Sequence, residues 1–316
     1  MEYLREDDLI SHKILFTGLD AAGKTSIILT LQREFSRINM VKPTRGAQRH
    51  FFKFLDKEIR EWDLGGQKSY RISYLKNPDK YFAGTESTIY VIDIQDNKRI
   101  PESLSYLTDV IKQFRKFNLT PPINIFFHKF DPFFEKNYNN NLNLLSFELM
   151  KQIKTITKYE KLSFFQTSIY NLPSLITAIS HILLELYPKS NLISKTIEEF
   201  AGKLMCEGFI LLDNNAFILG SYYKDDLTKE LLLSSIPHFL SLNDHFQLDG
   251  LDNNKIHIVM NRFNYYFLFR DVPILGNGVP YYIFVLKSNS PWDLYFSRKD
   301  FNAFITIMKE MLQNIP

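Results

Sequence analysis

The order of apolar and polar positions in the N-terminal part of the chain predicts alternating strands and helices. Short aliphatic or aromatic runs bounded by turn residues indicate six strands, at 14–17, 51–55, 59–63, 87–94, 123–128 and 162–167. Segments with helical spacing lie near 25–36, 102–117, 145–158 and 172–187. This alternation predicts an α/β domain with a mostly parallel six-stranded sheet covered by helices.

Two stretches of this part depart from the simple alternation. The runs 51–55 and 59–63 are separated by three residues, which is too short for a crossover between parallel strands. We therefore expect these two strands to form an antiparallel hairpin. The asparagine-rich stretch 136–143 is expected to be a solvated loop.

The C-terminal part has a different order of elements. Helices are expected at 194–205, 225–241 and 298–313, and strands at 208–213, 216–222, 255–261, 264–270 and 280–287. The resulting order αββαβββα predicts an α+β domain with an antiparallel sheet. The segment 188–191, Pro-Lys-Ser-Asn, interrupts the helical pattern between the two parts. We place the boundary there, with one domain at 1–190 and the other at 191–316.

The composition agrees with two folded domains. The chain has 316 residues, of which 45% are hydrophobic and 23% are charged, which is typical of folded proteins. Lys and Arg number 38 against 35 Asp and Glu, and the basic residues are scattered, so nucleic acid is not expected as a partner. The single cysteine, Cys206, excludes an intramolecular disulfide and fits a reducing compartment.

Residues 1–8 are acidic and lack the cationic start and apolar core of a signal peptide, and position 2 is not the glycine that myristoylation requires. No run approaches 18 uninterrupted apolar residues. We therefore expect a cytoplasmic protein without a direct membrane anchor, which partner proteins could recruit to a membrane.

The segment 18–25, Gly-Leu-Asp-Ala-Ala-Gly-Lys-Thr, lies between a predicted strand and a predicted helix. We call it the phosphate loop, because it matches G-x-x-x-x-G-K-[ST], whose glycines let backbone N–H groups face a phosphate at a helix N-terminus. Lys24 would reach the β- and γ-phosphates, and the Thr25 hydroxyl would bind Mg²⁺. Nucleotide contacts are expected from Asp20, Ala21, Ala22, Gly23, Lys24, Thr25 and Ser26.

A second motif, Trp-Asp-Leu-Gly-Gly-Gln at 62–67, ends the strand expected at 59–63. Asp63 is placed to hold Mg²⁺ through water, the Gly66 N–H to sense a γ-phosphate, and Gln67 to orient the attacking water. Thr44 is expected to bind Mg²⁺ when a γ-phosphate is present, or else to be a solvated loop threonine. The expected catalytic residues are Gln67, Lys24 and Thr44, and the expected metal ligands are Thr25, Thr44 and Asp63.

Two arginines near this motif have no single assignment. Arg45 and Arg49 follow Thr44 in the chain, and each could be a phosphate contact or a surface charge.

The tetrapeptide His128-Lys129-Phe130-Asp131 follows the strand expected at 123–128 and indicates base recognition. Asp131 can accept hydrogen bonds from the N1–H and the N2 amino group of guanine, a pattern that adenine lacks. The aliphatic stem of Lys129 can cover the base, although the same tetrapeptide taken alone could be a loop of mixed charge. The expected base-side contacts are His128, Lys129 and Asp131, with the backbone of Ser168 and Ile169 near the guanine carbonyl.

Together these motifs resemble the small GTPases of the Ras superfamily. The phosphate loop and the Trp-Asp-x-Gly-Gly-Gln motif look like the Arf and Rag branches. His128, where most GTPases have asparagine, and the tract 167–170 favour the Rag type, called Gtr in yeast. The order αββαβββα is similar to the roadblock/longin-like domain that Rag proteins carry after their GTPase domain. The motif resemblance covers 12–190, and beyond that it rests on the order of elements.

The resemblance implies a GTP-binding and hydrolysing switch with Mg²⁺ as cofactor and GTP or GDP as ligand. No arginine is supplied in cis at a diagnostic position, so we expect slow intrinsic hydrolysis that an activator raises by donating an arginine. The resemblance also implies an exchange factor, and a homodimer or heterodimer with a related GTPase or roadblock protein, used for signalling or scaffold recruitment. The segment 43–46 looks more Arf-like than Rag-like, which leaves the regulatory partners open. The alternatives are an Arf-like trafficking GTPase and a nucleotide-loaded structural scaffold with little hydrolysis.

Overall fold

The computed structural model describes residues 11–38, 40–55, 57–187, 190–248, 257–262, 264–274, 280–288 and 298–313. The chain divides into two compact units, the first ending at Ala178 and the second beginning at Ile179. This division lies twelve residues before the boundary placed at 190/191, which stays a prediction. None of the helices in the described ranges combines the length and the apolar character needed to cross a membrane.

The first unit contains a six-stranded sheet built as the sequence predicts. Its strands are β1 Ser11–Gly18, β2 Ala47–Phe54, β3 Lys57–Leu64, β4 Ser87–Asp93, β5 Ile123–His128 and β6 Leu162–Thr167. They lie in the order β2-β3-β1-β4-β5-β6. All neighbours are parallel except β2 and β3, which form the expected antiparallel hairpin. The carboxyl ends of the five parallel strands therefore meet at one edge of the sheet, where the predicted site residues follow them.

Seven helices accompany this sheet within the described residues of the first unit and at its end. They are α1 Lys24–Leu31, α2 Phe35–Ile38, α3 Lys68–Lys76, α4 Pro78–Phe82, α5 Ile100–Lys116, α6 Pro132–Thr157 and α7 Leu172–Glu185. The sequence pattern did not indicate α3 and α4. Both are short, and α3 has only two buried side chains, Arg71 and Tyr74, so it carries little apolar periodicity.

The prediction of a loop at 136–143 is wrong, because α6 begins at Pro132 and runs through these residues. Proline is favoured in the first turn of a helix, where its missing N–H has no helical partner to lose. Asparagine disfavours a helix interior by only about 0.7 kcal/mol per residue, which a long helix tolerates.

The core of the first unit fixes the sheet edge that carries the site. Side chains from the strands and from α5 pack into one buried cluster, which includes Leu15, Tyr90, Ile92, Leu107, Val110 and Phe114. Burying an aliphatic or aromatic side chain of this size stabilises the fold by roughly 1.5–3 kcal/mol. The loops at the carboxyl ends of the strands are thereby anchored to a rigid layer.

The second unit follows the predicted order αββαβββα. Its elements are α8 Ser190–Leu204, β7 Gly208–Asp213, β8 Ile218–Tyr223, α9 Asp226–Leu248, β9 His257–Arg262, β10 Tyr265–Val272, β11 Tyr281–Ser288 and α10 Arg298–Gln313. The strands form an antiparallel sheet in the order β8-β7-β11-β10-β9. This α+β unit has the architecture expected of a roadblock-like domain.

Aromatic side chains fill the interior of this second unit. Phe200 of α8 stacks on Phe304 of α10 with ring centroids 4.3 Å apart. Phe239 of α9 packs against Phe284 of β11 at 4.7 Å. The paired tyrosines at 281 and 282 are also buried, so they belong to this core rather than to an exposed surface.

Candidate functional site

The phosphate loop connects β1 to α1 through a backbone that only glycine can follow at two points. Gly18 has φ 141°, and a Cβ there would lie 2.3 Å from the carbonyl oxygen of Val91. Gly23 has φ 98°, and a Cβ there would lie 2.5 Å from Cδ2 of His128. Within the described chain, no side chain caps the first turn of α1. The loop therefore leaves backbone N–H groups at the helix N-terminus for an anionic ligand.

Lys24 is buried, and its side chain extends toward the first residues of the phosphate loop. Its Nζ donates to the carbonyl oxygens of Leu19 at 2.8 Å and Gly18 at 3.3 Å. Burial lowers the pKa of Lys24 to about 8, although the charges of Asp63 and Asp20 oppose this shift. A phosphate at this position would restore the preference for the charged ammonium, because an anion is a stronger acceptor than a carbonyl.

The three predicted metal ligands converge in the structure. The Thr25 hydroxyl donates to Oδ2 of Asp63 at 2.6 Å and lies 2.8 Å from the Thr44 hydroxyl. The Thr44 hydroxyl also donates to Oδ2 of Asp63, at 3.2 Å. Thr44 is therefore not a remote loop threonine but part of this cluster.

The donor set of the cluster fits Mg²⁺, which prefers hard oxygen ligands and takes few of them from protein. Asp63 is fully buried, and its Oδ1 has no hydrogen-bond partner within the described residues. Such an orphaned carboxylate oxygen is costly unless a ligand uses it. Burial, with Asp63 adding to it, raises the pKa of the neighbouring Glu61 to about 8, so Glu61 is neutral near pH 7 and adds no second negative charge.

The loop after β3 packs directly against the phosphate loop and the Thr44 segment. The Gly65 N–H donates to the carbonyl oxygen of Gly46 at 2.9 Å. A Cβ on Gly66 would lie 2.1 Å from the backbone nitrogen of Asp20. Glycine is therefore required at 66, because any side chain would separate the two loops.

These loops enclose a cavity of about 340 Å³ that collects most of the predicted phosphate-side residues. Gln67, which precedes α3, lies on its wall together with residues of the phosphate loop and Lys129 from the base-side loop. The predicted residues among its lining are Asp20, Ala21, Gly23, Lys24, Thr25, Ser26, Thr44, Gly66, Gln67 and Lys129.

The base-side residues form a second group at the carboxyl ends of β5 and β6. One carboxylate oxygen of Asp131 accepts from the Ser168 hydroxyl at 2.5 Å, and the other accepts from the Gln95 amide at 3.3 Å. Lys129 has φ 62° and its Nζ pairs with Asp93 at 2.6 Å. Ile169 follows Ser168 in the same loop. Asp131 is therefore oriented by two neighbours and lies on the loop beside Lys129.

His128 connects the base-side loop to the phosphate loop. Its ring packs against Gly23, and its Nδ1 lies 3.0 Å from the Thr167 hydroxyl. Burial, helped by the charge of Lys129, lowers the pKa of His128 to about 3, so the ring is neutral at physiological pH. His128 therefore packs as a neutral ring between the base-side loop and the phosphate loop, and does not carry a charge into the site.

Sequence reasoning missed the loop between β4 and α5. Asp93 pairs with Lys129, and the Gln95 amide donates to the carbonyl oxygen of Lys129 at 2.7 Å. Arg99 pairs with Asp20 of the phosphate loop at 2.6 Å. No motif marks these residues, but β4 ends at the same sheet edge as β1 and β5, so polar residues following it were the available signal.

The two arginines without an assignment lie apart from the phosphates' expected position. The guanidinium of Arg49 stacks over the Trp62 ring at 4.0 Å, on the β2–β3 hairpin. Arg45 is exposed. Neither lines the cavity described above.

Residues 13–234 match the family model of the Gtr1/RagA G protein conserved region. ADP-ribosylation factor-like protein 3 of Chlamydomonas reinhardtii is 38% identical over 122 residues, covering 38% of this chain and 63% of that protein. ADP-ribosylation factor-like protein alp41 of Schizosaccharomyces pombe is 37% identical over 99 residues, covering 31% of this chain and 50% of that protein. The chain thus spans less than two thirds of the length of either curated relative.

Among solved structures, the Arl6 BBS3 small GTPase of Trypanosoma brucei with bound GppNp aligns with a TM-score of 0.40 and 18% sequence identity. That alignment covers 55% of this chain and 96% of that chain.

Proposed function

Because the chain belongs to the Gtr1/RagA family of small GTPases, we propose that it is a guanine-nucleotide switch that binds GTP with Mg²⁺ and hydrolyses it to GDP and phosphate. The observation that carries this proposal is the mutual hydrogen bonding of Thr25, Thr44 and Asp63 beside the phosphate loop. Hydroxyl and carboxylate oxygens from α1, from the end of β3 and from the segment before β2 meet next to a phosphate-binding turn. This is the arrangement that a phosphate-bound Mg²⁺ needs.

The phosphate loop would bind the β- and γ-phosphates through its N–H groups and through Lys24. The Lys24 ammonium donates to the carbonyl oxygens of Leu19 and Gly18, both in the same loop. A charged phosphate oxygen forms a stronger hydrogen bond than a carbonyl, so a bound phosphate would replace these carbonyls as the acceptor.

Thr25, Thr44 and Asp63 are the residues that would hold Mg²⁺, with Asp63 acting through water. When bound, the ion neutralises charge on the β- and γ-phosphate oxygens. The Oδ1 of Asp63, which has no hydrogen-bond partner in the part of the chain that the structure describes, is an acceptor that such a site would use. Since Thr44 lies in the segment before β2, loss of the γ-phosphate would release that segment, which is how such loops change conformation.

Hydrolysis needs a water oriented for in-line attack on the γ-phosphorus, and we assign this role to Gln67, which lines the cavity. Its amide can both donate to and accept from a water. The water oxygen bonds to phosphorus, the bond to the β-phosphate oxygen breaks, and the water protons end on the phosphate products. No arginine lines the described cavity. We therefore expect turnover on the order of one event per tens of minutes, raised by an activator that donates an arginine.

Guanine would be selected by Asp131. Its carboxylate has more acceptor positions than the Ser168 hydroxyl and the Gln95 amide use, so it can also accept from N1–H and N2 of the base. Adenine has no N1–H and no N2 amino group, so it would leave these remaining acceptor positions of Asp131 unused, which disfavours its binding.

The C-terminal unit is proposed to pair with a second copy or with a related roadblock-like domain. Strand β9 has β10 as its only partner among the described strands. Val259 and Met260 on β9 are 47% and 40% exposed. A strand edge with exposed apolar residues is a template for pairing with another chain. Pairing of this kind would let the switch act as a scaffold, and an exchange factor would reload it.

The proposal is tested by single-turnover hydrolysis of GTP by the full chain and two variants. Lys24→Ala should lose nucleotide binding, because it removes the ammonium from the phosphate loop. Gln67→Leu should keep binding and lose hydrolysis by about a hundredfold, because it removes only the group that orients water. Lys76→Ala, at an exposed position of α3, serves as the control and should match the wild type. Equal hydrolysis by wild type and Gln67→Leu would contradict the proposed role of Gln67.

A further inference from the structure

Arg71 of α3 is buried and joins the loop after β3 to α5. Its Nε donates to the carbonyl oxygen of Gly66 at 2.9 Å, and its Nη2 donates to a carboxylate oxygen of Glu102. Its guanidinium lies 5.1 Å from the centre of the Tyr106 ring. The carbonyl of Gly66 belongs to the same peptide as the Gln67 N–H. The hydrogen bond from Arg71 therefore fixes the orientation of the peptide group between Gly66 and Gln67.

Arg99, immediately before α5, makes the corresponding contacts with the phosphate loop. One of its nitrogens pairs with the Asp20 carboxylate at 2.6 Å, and another donates to the Asp20 carbonyl at 3.2 Å. Its Nε also donates to Glu102 at 3.4 Å. Glu102 therefore accepts from both arginines. The hydrogen bond from Arg71 holds the pKa of Glu102 below its usual range, which keeps its carboxylate charged.

These contacts close a ring around one wall of the cavity. Gly66 packs on the backbone of Asp20, and the side chains of Arg71, Glu102 and Arg99 connect the two residues from behind. We call these three side chains the arginine bridge. Arg71 donates to the carbonyl oxygen of Gly66, and Arg99 donates to that of Asp20. The two arginines therefore define the distance between the phosphate loop and Gly66, the residue before Gln67.

We propose that the arginine bridge positions Gln67 for hydrolysis: Arg71 holds the Gly66–Gln67 peptide, and Glu102 and Arg99 tie that peptide to Asp20 of the phosphate loop. This inference rests on the proposed function and deepens it by assigning three positioning residues. The three side chains act through Gly66 and Gln67 and do not themselves contact the reacting atoms.

A guanidinium suits this role better than an ammonium. Its planar fork of donors can bond a carbonyl and a carboxylate at the same time in fixed directions, whereas lysine offers a point charge on a flexible stem. Arg71→Lys therefore keeps the charge and loses the geometry. Since a displacement of about 1 Å at a reacting group can cost a hundredfold in rate, loss of this geometry should be measurable.

The first experiment compares full-chain Arg71→Lys and Glu102→Gln with the wild type. We expect the single-turnover hydrolysis rate to fall at least about tenfold in Arg71→Lys and about threefold in Glu102→Gln. The rate of GDP dissociation should stay within about twofold of the wild type in both, because the base and phosphate contacts are retained. Lys76→Ala, exposed on the same helix, is the matched control. Faster GDP release that parallels slower hydrolysis would indicate a merely structural role and overturn the inference.

The second experiment places Arg71→Lys in the Gln67→Leu background. If Arg71 acts through Gln67, the double variant should hydrolyse GTP no more slowly than Gln67→Leu alone, because the effects of residues acting as a unit are not additive. An equal further loss in both backgrounds would overturn the inference. Arg71→Lys at the wild-type rate, with Gln67→Leu impaired, would overturn the arginine bridge while leaving the proposed function intact. A wild type no faster than Gln67→Leu would overturn both.

Discussion

Single buried side chains decide what the cavity presents to a ligand. Burial lowers the pKa of Lys24 to about 8 and that of His128 to about 3, and it raises the pKa of Glu61 to about 8. Near pH 7 this leaves a charged ammonium on the phosphate loop, a neutral ring behind Gly23 and a neutral acid beside Asp63. The charged ammonium therefore favours an anionic ligand at the phosphate loop, and the neutral Glu61 adds no negative charge beside Asp63.

The contact between Gly23 and His128 gives a prediction at the residue scale. Gly23→Ala should lower the free energy of unfolding by about 2 kcal/mol or more, because it adds strain at positive φ and places a Cβ 2.5 Å from the His128 ring. Gly84→Ala is the matched control, since Gly84 also has positive φ but no atom within 4 Å of an added Cβ. Its loss should be about 1 kcal/mol.

Chemical denaturation of both variants measures this difference. Gly23→Ala should cost less stability in the His128→Ala background than in the wild type, because the clash with the ring is then absent. Equal losses in Gly23→Ala and Gly84→Ala would show that the His128 ring does not press on the phosphate loop.

The sequence predicted the helices and strands well where apolar periodicity was strong. Strands β1 to β6 and the order αββαβββα follow from short apolar runs and turn residues. The helices α3 and α4 were missed because most of their side chains are polar or exposed. The start of α6 was predicted too late in the chain because asparagines interrupt its apolar pattern. Element type was therefore predictable where the core imposed it.

Motif residues of the candidate site were also predictable from the sequence, whereas their supporting side chains were not. Thr25, Thr44 and Asp63 are separated in the chain but converge as their motifs indicate. Arg71 and Arg99 belong to no motif, and their roles depend on which backbone carbonyls the fold brings within reach. Tertiary packing determines which carbonyls these arginines reach. The spacing of residues along the sequence does not reveal such contacts.

The exposed strand β9 gives a prediction at the element scale. Val259→Lys should shift the full chain from dimer toward monomer at micromolar concentration, because a charge on the exposed edge opposes pairing with another strand. Leu192→Lys, at an exposed position of α8, is the control and should leave the dimer intact. Sedimentation velocity distinguishes the two states. A wild type that is monomeric at tens of micromolar would contradict pairing between two copies of this chain. Pairing with a different chain would then be the remaining form of the proposal.

At the scale of the whole molecule, the chain combines one unit that carries a candidate nucleotide site with a second unit whose interior is closed by its own aromatic residues. The residues we assign to nucleotide, metal and water all lie in the first unit. The match to the Gtr1/RagA model, over residues 13–234, covers the first unit from β1 onward and extends into the second unit. Nucleotide chemistry in the first unit and assembly by the second can therefore be tested separately.

The central claim is that a guanine triphosphate with Mg²⁺ binds at the carboxyl edge of the first sheet. Equilibrium binding of a fluorescent GTP analogue to the full chain, with and without Mg²⁺ and with unlabelled competitors, tests it most directly. We predict tight binding that needs Mg²⁺, is displaced by GTP and GDP, and is unaffected by a hundredfold excess of ATP. Absence of binding, or displacement by ATP as effective as that by GTP, would contradict the account.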